Sequence, residues 1–298
     1  MGASFIPLHP VFAAEVQGLD IRRPLPGEAV REIDEGMNRF GVLVFRGQPL
    51  TQDEQIAFTK QFGELDIGFR RVTTAGGPLP PHRFGYQELA DISNVAIDGS
   101  VAGRESRKIV ANVANQLWHA DSSFQQPRAR YSMLHAVVVP PKGGETEFCD
   151  ERNAYDRLDD ETRARLEGLQ AEHFALHSRF LLGDTGYSEA QVEAIAAVRW
   201  PIVQTHAGSG RKHLYIGAHA RAIDGMTVAE ARMLLMDLLE HATQREYLYR
   251  HRWQVGDLVI WDNRCILHRG RAYDFTLRRE LRRSTTVDVE TERQPQTA

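Results

Sequence analysis

Asn115-Gln116-Leu117-Trp118-His119-Ala120-Asp121-Ser122-Ser123-Phe124 is the stretch from which the fold of this chain can be read. His119 and Asp121 stand two positions apart with one small residue between them. On an extended strand that spacing sends both side chains to one face. An imidazole beside a carboxylate can give a divalent metal two adjacent ligands. A histidine from elsewhere would complete a 2-His-1-carboxylate facial triad, which leaves positions open and suits non-haem Fe(II). Until that partner is found, a strand-end histidine beside a solvated aspartate is the simpler reading.

Working outward, the chain alternates strand-like runs with amphipathic helices. Upstream, Val16 to Ile21 reads as a short strand before Pro24 and Pro26. Glu28 to Phe40 sets Val30, Ile33, Met37 and Phe40 at helical spacing, and Gly41 stops it. Val42-Leu43-Val44-Phe45 reads as a strand buried on both faces. Thr51 and Glu54 form a capping box for a helix that Gly63 should end. Downstream, strands are expected at Tyr131 to Val139, Glu172 to Leu176, Trp200 to Thr205, Lys212 to Ile216, Arg250 to Trp253, Leu258 to Trp261 and Leu281 to Val289. Helices are expected at Glu161 to Leu169, Tyr187 to Ala197 and, capped by Thr227 and Glu230, Thr227 to Ala242. Short strands crowd the second half, while helices lie early and in insertions. That distribution predicts a mostly β fold, a sandwich or jelly roll packed by peripheral helices. No Gly-rich dinucleotide fingerprint or phosphate loop is present.

Composition narrows the function classes. A chain of 298 residues, 42% hydrophobic and 26% charged, buries a substantial core, and 1–298 is expected to form a single domain. A net charge of −4 gives no footprint for nucleic acid or an anionic membrane. No apolar run is long enough to span a bilayer, and the first residues do not resemble an export signal. With only Cys149 and Cys265, a reducing cytoplasm is the expected setting. Residues 66–88 interrupt the pattern with Gly76-Gly77-Pro78-Leu79-Pro80-Pro81 flanked by Arg70, Arg71, His82 and Arg83. They read either as a solvated loop or as a lid over a site for an anion. The tail 291–298 is polar and expected to be disordered.

His268 is the candidate third ligand, because it follows the apolar run Val259-Ile260-Trp261 and the turn-forming pair Asp262-Asn263. Arg279 comes eleven positions later and Arg283 four beyond that. On an alternating strand these two share a face, about 13 Å apart at ~3.3 Å per residue. A solvated, charge-rich surface strand is the competing reading.

The combination of His119-Ala120-Asp121, His268 and Arg279 resembles the Fe(II)/2-oxoglutarate dioxygenases of the taurine dioxygenase superfamily. Leu43 through Leu50, Asn115 through Pro127, Gly144 through Asp150, Ser178 through Asp184, Thr205 through Lys212 and Trp261 through Arg264 are similar to its aryloxyacetate-oxidising branch, over residues 8 to 288. The resemblance implies a double-stranded β-helix (jelly-roll) core, with Fe(II), 2-oxoglutarate and O2 as cofactor and cosubstrates. It implies that His119, Asp121 and His268 hold the metal, and that Arg279 with the Thr146 hydroxyl binds the far carboxylate of 2-oxoglutarate. It assigns the anionic group of the primary substrate to Arg283, with Asn115, Ser122, Arg71, His206 and His219 as further substrate-binding candidates. His206 and His219 are as readily structural. An aryloxyacetate would be hydroxylated at its ether methylene, giving a phenol and glyoxylate with succinate and CO2. A small anionic substrate and a homo-oligomer are the partners implied.

The 66–88 loop is longer than in that branch, Arg71 replaces a lysine there, and Ser100 replaces another. A taurine-like sulfonate or another aromatic acid therefore stays open as substrate. A non-catalytic metal sensor would need no clamp for a keto-diacid. A zinc hydrolase would need a general base that is not evident beside His119.

Overall fold

The computed structural model describes residues 2–67 and 83–289. In chain order its strands are β1 (Ser4–Pro7), β2 (Ala14–Gln17), β3 (Val42–Phe45), β4 (Ala90–Ser93), β5 (Ala129–Val138), β6 (Thr146–Asp150), β7 (Gln170–His173), β8 (Val198–Pro201), β9 (Val203–Thr205), β10 (Lys212–Leu214), β11 (Ala220–Ile223), β12 (Leu248–His251), β13 (Leu258–Asp262), β14 (Ile266–Gly270) and β15 (Glu280–Val287). A seven-stranded sheet runs β1-β2-β3-β13-β5-β15-β4, and a smaller one runs β12-β6-β14.

Alternation along the large sheet decides what packs where. Val42 and Val44 of β3, Leu134 and Ala136 of β5, Val259 and Trp261 of β13 and Leu281 of β15 face the small sheet. There they meet Phe148, Tyr249 and Ile266. Their neighbours Leu43, Phe45, Met133, Leu258 and Ile260 point the other way, onto Ile33, Met37 and Phe58 of two helices. This is why Val42–Phe45 is continuously apolar: both faces of a sheet's interior strand are covered. The two packed sheets with external helices make the jelly-roll core expected from the sequence. A third cluster buries the stripe Ala231, Leu234, Leu235 and Leu238 of the helix Val228–Ala242 against Trp200, Leu214 and Tyr215.

Local signals place several elements where they were expected. The helix Gly27–Phe40 ends on Gly41 at φ 69, and both capping boxes, Thr51/Glu54 and Thr227/Glu230, form. Other boundaries differ. The helix Gln52–Lys60 is capped by Gln61 and stops before Gly63. β2 lies at Ala14–Gln17 rather than Val16–Ile21, because Gly18 turns the chain at φ 89. The expected strand from Trp200 to Thr205 is two strands, each pairing with a different partner, β7 or β10. Most of the 66–88 segment (68–82) and the tail 291–298 lie outside the described residues.

Candidate metal centre

His119 is an isolated bridge residue, and Asp121 opens the turn that follows it. The extended strand expected here is absent because Ser122 adopts φ 53. The two side chains still converge, held by a contact across 149 residues of sequence. His119 N–H donates to the His268 carbonyl at 3.0 Å, and His268 N–H donates to the His119 carbonyl at 2.9 Å. This reciprocal pair fastens the chain at His119 to β14, so folding of the small sheet itself brings the second imidazole to the first.

His119 Nε2 lies 3.8 Å from Asp121 Oδ1, and His268 Nε2 lies 3.7 Å from Asp121 Oδ2. One ligand atom from each of the three residues lies within 4.8 Å of the others, and all three residues are buried. Those separations are too long for hydrogen bonds and suit donors around a common ion about 2 Å from each. His119 Nδ1 lies 2.8 Å from the Leu117 carbonyl, which fixes Nδ1 as the protonated nitrogen and leaves the Nε2 lone pair free. Burial pushes both imidazoles below their ordinary range, so they stay neutral and able to ligate. Burial alone would raise the Asp121 carboxyl, but the Arg283 guanidinium and the Ser132 hydroxyl hold it well below the usual range. A neutral, neutral, anionic donor set fits Fe(II).

Asp121 is positioned by side chains that sequence reading did not single out. Asn263 Oδ1 accepts from Asp121 N–H at 3.0 Å and from Trp261 Nε1 at 2.9 Å. Its Nδ2 donates to Ser132 Oγ at 3.0 Å, and Ser132 Oγ donates to Asp121 Oδ2 at 2.7 Å. The only sequence signal for this hub was the Trp261–Arg264 motif, where Asn263 had been read as a turn former.

His119 and His268 line a cleft of about 620 Å³, mouth included. Ile92, Leu134, Tyr273 and Phe275 supply apolar wall, and Asn115, Thr146, Arg279 and Arg283 supply polar groups. Arg279 and Arg283 both face it, as their spacing predicted, while Arg282 between them turns away and donates to the Leu50 carbonyl at 2.6 Å. Arg279 is 8% exposed. Its Nη2 donates to the Gly144 carbonyl at 3.1 Å, its Nε has no partner, and no carboxylate pairs with it among the described residues. Burial without a counter-ion pulls its guanidinium down to about 10. The turn beneath it needs glycine: Gly144 sits at φ +74, and a Cβ there would lie 3.0 Å from Arg279 Nε. Asn94, also missed in the sequence, fastens the arginine's backbone, accepting from Arg279 N–H at 2.8 Å while its amide donates to the carbonyls of Phe275 and Leu277. Arg283 Nη1 donates to Asp121 Oδ1. A buried, unpaired guanidinium beside a three-donor cluster is a fit for a ligand with a carboxylate at one end and a metal chelate at the other.

A model of the taurine catabolism dioxygenase TauD, TfdA family matches residues 4–285. The chain belongs to this family. It is 65% identical over 282 residues to the alpha-ketoglutarate-dependent 2,4-dichlorophenoxyacetate dioxygenase of Cupriavidus pinatubonensis, covering 95% of this chain and 96% of that protein. It is 60% identical to the protein of the same name from Burkholderia sp. (strain RASC), covering 94% and 93%. Among solved structures, AAD-2 in complex with Mn(II) and N-oxalylglycine superposes with a TM-score of 0.92 at 42% identity, covering 97% of this chain and 99% of that one.

Not every candidate carried over from the family resemblance reaches the cleft. Ser122 is buried, with its hydroxyl on Asp66 Oδ2 at 3.2 Å, and does not line it. His206 packs away from it, with Nε2 3.0 Å from Asp262 Oδ2. Together with Cys265 these form a second buried cluster. Asp262 is already engaged by Arg264 through both oxygens, so the cluster reads as a neutralised ion-pair network. His219 stands behind His119, edge-on at 6.1 Å, and fills space there. Of the two roles open for these histidines, the surroundings favour the structural one: His206 is tied to Asp262 and His219 packs edge-on to His119 and Phe124. Arg71 lies outside the described residues.

Proposed function

We propose that this enzyme is an Fe(II)- and 2-oxoglutarate-dependent dioxygenase that hydroxylates the ether methylene of an aryloxyacetate such as 2,4-dichlorophenoxyacetate. The observation that carries the reading is the buried, unpaired Arg279 sharing one cleft with His119, Asp121, His268 and a second guanidinium, Arg283. The two relatives at 65% and 60% identity are named for 2,4-dichlorophenoxyacetate.

His119, Asp121 and His268 would hold the iron. When bound with 2-oxoglutarate and O2, iron supplies oxidation of an unactivated C–H bond, with succinate and CO2 as co-products. Arg279 binds the far carboxylate of the keto-diacid in the bidentate geometry that a lysine cannot reproduce, and the Thr146 hydroxyl donates to it. Arg283 holds the substrate carboxylate at the rim of the donor cluster, and this anchoring sets the adjacent methylene toward the metal position. Ile92, Leu134, Tyr273 and Phe275 offer the apolar wall against which an aryl ring lies. Asn115 supplies a polar group at the same wall. The hydroxylated ether is a hemiacetal, which collapses to phenol and glyoxylate.

Apart from iron, 2-oxoglutarate and O2, the partner is a small anionic substrate. In this reading residues 1–298 form one domain that assembles as a homo-oligomer in the cytoplasm. No helix among the described residues is long and apolar enough to cross a membrane. A panel of 2,4-dichlorophenoxyacetate, a phenoxypropionate, taurine and cinnamate, scored by succinate and phenol release, tests the substrate. Phenol in step with succinate from the phenoxyacetate supports the reading, and turnover confined to taurine overturns it.

A further inference from the structure

Thr146 opens β6 and is 3% exposed, with its side chain on the cleft that Arg279 also lines. The one hydrogen bond of its hydroxyl among the described residues comes from Trp253, whose Nε1 lies 3.1 Å from Thr146 Oγ1. An indole N–H can only donate, whereas a threonine hydroxyl has one hydrogen and two acceptor sites. The direction of this contact is therefore fixed: Thr146 accepts, and its own hydrogen stays available.

The indole is itself held in place. Its ring stands edge-on to His251, with centroids 4.5 Å apart at 79°. His251 is clamped between the Tyr249 hydroxyl at 3.1 Å and the Asp257 carboxylate at 3.1 Å, and it pairs directly opposite Thr146 where β12 meets β6. Trp253 and the Gly143-Gly144 turn also line a second cleft together with Arg279. The Asp257–His251–Trp253 series thus reaches Thr146 from behind.

We propose that Trp253 is a positioning residue for the cosubstrate carboxylate: by occupying one acceptor site of the Thr146 hydroxyl, it keeps that hydroxyl's hydrogen off the indole and available to donate into the cleft beside Arg279. A carboxylate is acceptor-only, so a hydroxyl turned to present a lone pair would repel it. The indole narrows the hydroxyl's rotamers before the ligand arrives by excluding the one whose hydrogen points at Trp253, which is preorganisation rather than contact. The inference rests on the reading of Arg279 and Thr146 as the 2-oxoglutarate clamp.

The test uses the full-length, Mn(II)-loaded protein titrated calorimetrically with N-oxalylglycine, with Trp253→Phe retaining the ring packed on His251. Loss of a hydrogen bond that orients a donor toward a charged group is expected to weaken binding about 5- to 20-fold. Thr146→Val should weaken binding to a similar or greater degree. The double variant should bind no more weakly than Thr146→Val alone, because Trp253 acts only through that hydroxyl. In turnover the KM for 2-oxoglutarate should rise in Trp253→Phe, while kcat at saturation and the KM for the primary substrate stay as in the parent. Parent-like binding by Trp253→Phe, or a double variant weakened by the product of the two single effects, would overturn the proposal. Arg279→Gln is the control: if it binds N-oxalylglycine like the parent, the clamp reading itself has failed, whereas its loss with an unaffected Trp253→Phe indicts Trp253 alone.

Discussion

Replacing Arg279 by leucine should move two properties in opposite directions. In the ligand-free protein the guanidinium is buried at 8% exposure, has no carboxylate partner among the described residues, and leaves Nε unbonded. A guanidinium held down to about 10 by burial costs the fold on the order of 3 kcal/mol at ~1.4 kcal/mol per unit. For a base whose folded value is depressed, that cost applies at every pH below about 10 and fades only above it. Leucine removes the cost but strands the Gly144 carbonyl that accepts from Nη2, a loss of about 1–2 kcal/mol. The net is a ligand-free protein more stable by about 1–2 kcal/mol, or roughly 2–5 °C in Tm. Ligand binding should suffer far more. Truncating one partner of a buried, hydrogen-bonded charge pair costs about 3–4 kcal/mol, two to three orders of magnitude in Kd. Scanning calorimetry of the metal-free protein and titration of the Mn(II)-loaded protein with N-oxalylglycine read the two effects. A Kd within threefold of the parent, or a Tm that falls, would refute the view that this charge is kept buried for an anion.

Arg283→Gln should raise the KM for the aryloxyacetate about a hundredfold while succinate still forms slowly without it; equal loss of both activities would show that the two arginines had been exchanged in the account. Acid should destabilise the fold well above the carboxylate range, because burial holds His135 down to about 4 and His173 and His213 to about 3. The unfolded chain takes up those protons near pH 6.5 and the folded chain does not, so stability is full above 6.5 and falls as pH drops toward 4, by about 2 kcal/mol per histidine at pH 5. A urea midpoint that stays flat from pH 7 to 5 would contradict this.

Legibility in the sequence followed the range of the interactions. The helix Gly27–Phe40, the strand Val42–Phe45 and the capped helix Val228–Ala242 announce themselves through local periodicity and caps, and all three formed. His119, Asp121, His268, Arg279 and Arg283 were marked by residue type and spacing and Thr146 by family resemblance; His119, His268, Thr146, Arg279 and Arg283 line one cleft, and Asp121 clusters with the two histidines. What failed was the backbone between them: His119 and Asp121 sit on a bridge and a turn, because their geometry is set by pairing with distant His268. β6 was not read as a strand, since Glu147 and Asp150 look like surface residues. Both are buried, neutralised by Arg250 and Arg269 in one case and Arg152 in the other. Asn94 and Asn263 carried no signal for a further reason: an amide hub is defined by its partners in space, and nothing in a local window names them. His206 and His219, substrate-binding candidates by resemblance and as readily structural, lie off the cleft lining, one on Asp262 and the other against His119.

The most direct measurement is a crystal structure of the protein grown with Mn(II) and N-oxalylglycine, with the metal placed by its anomalous scattering. One strong peak is expected about 2 Å from His119 Nε2, an Asp121 oxygen and His268 Nε2, with the far carboxylate of the analogue on Arg279. A peak at His206, Asp262 and Cys265 instead, or an analogue whose far carboxylate lies away from Arg279, would contradict it.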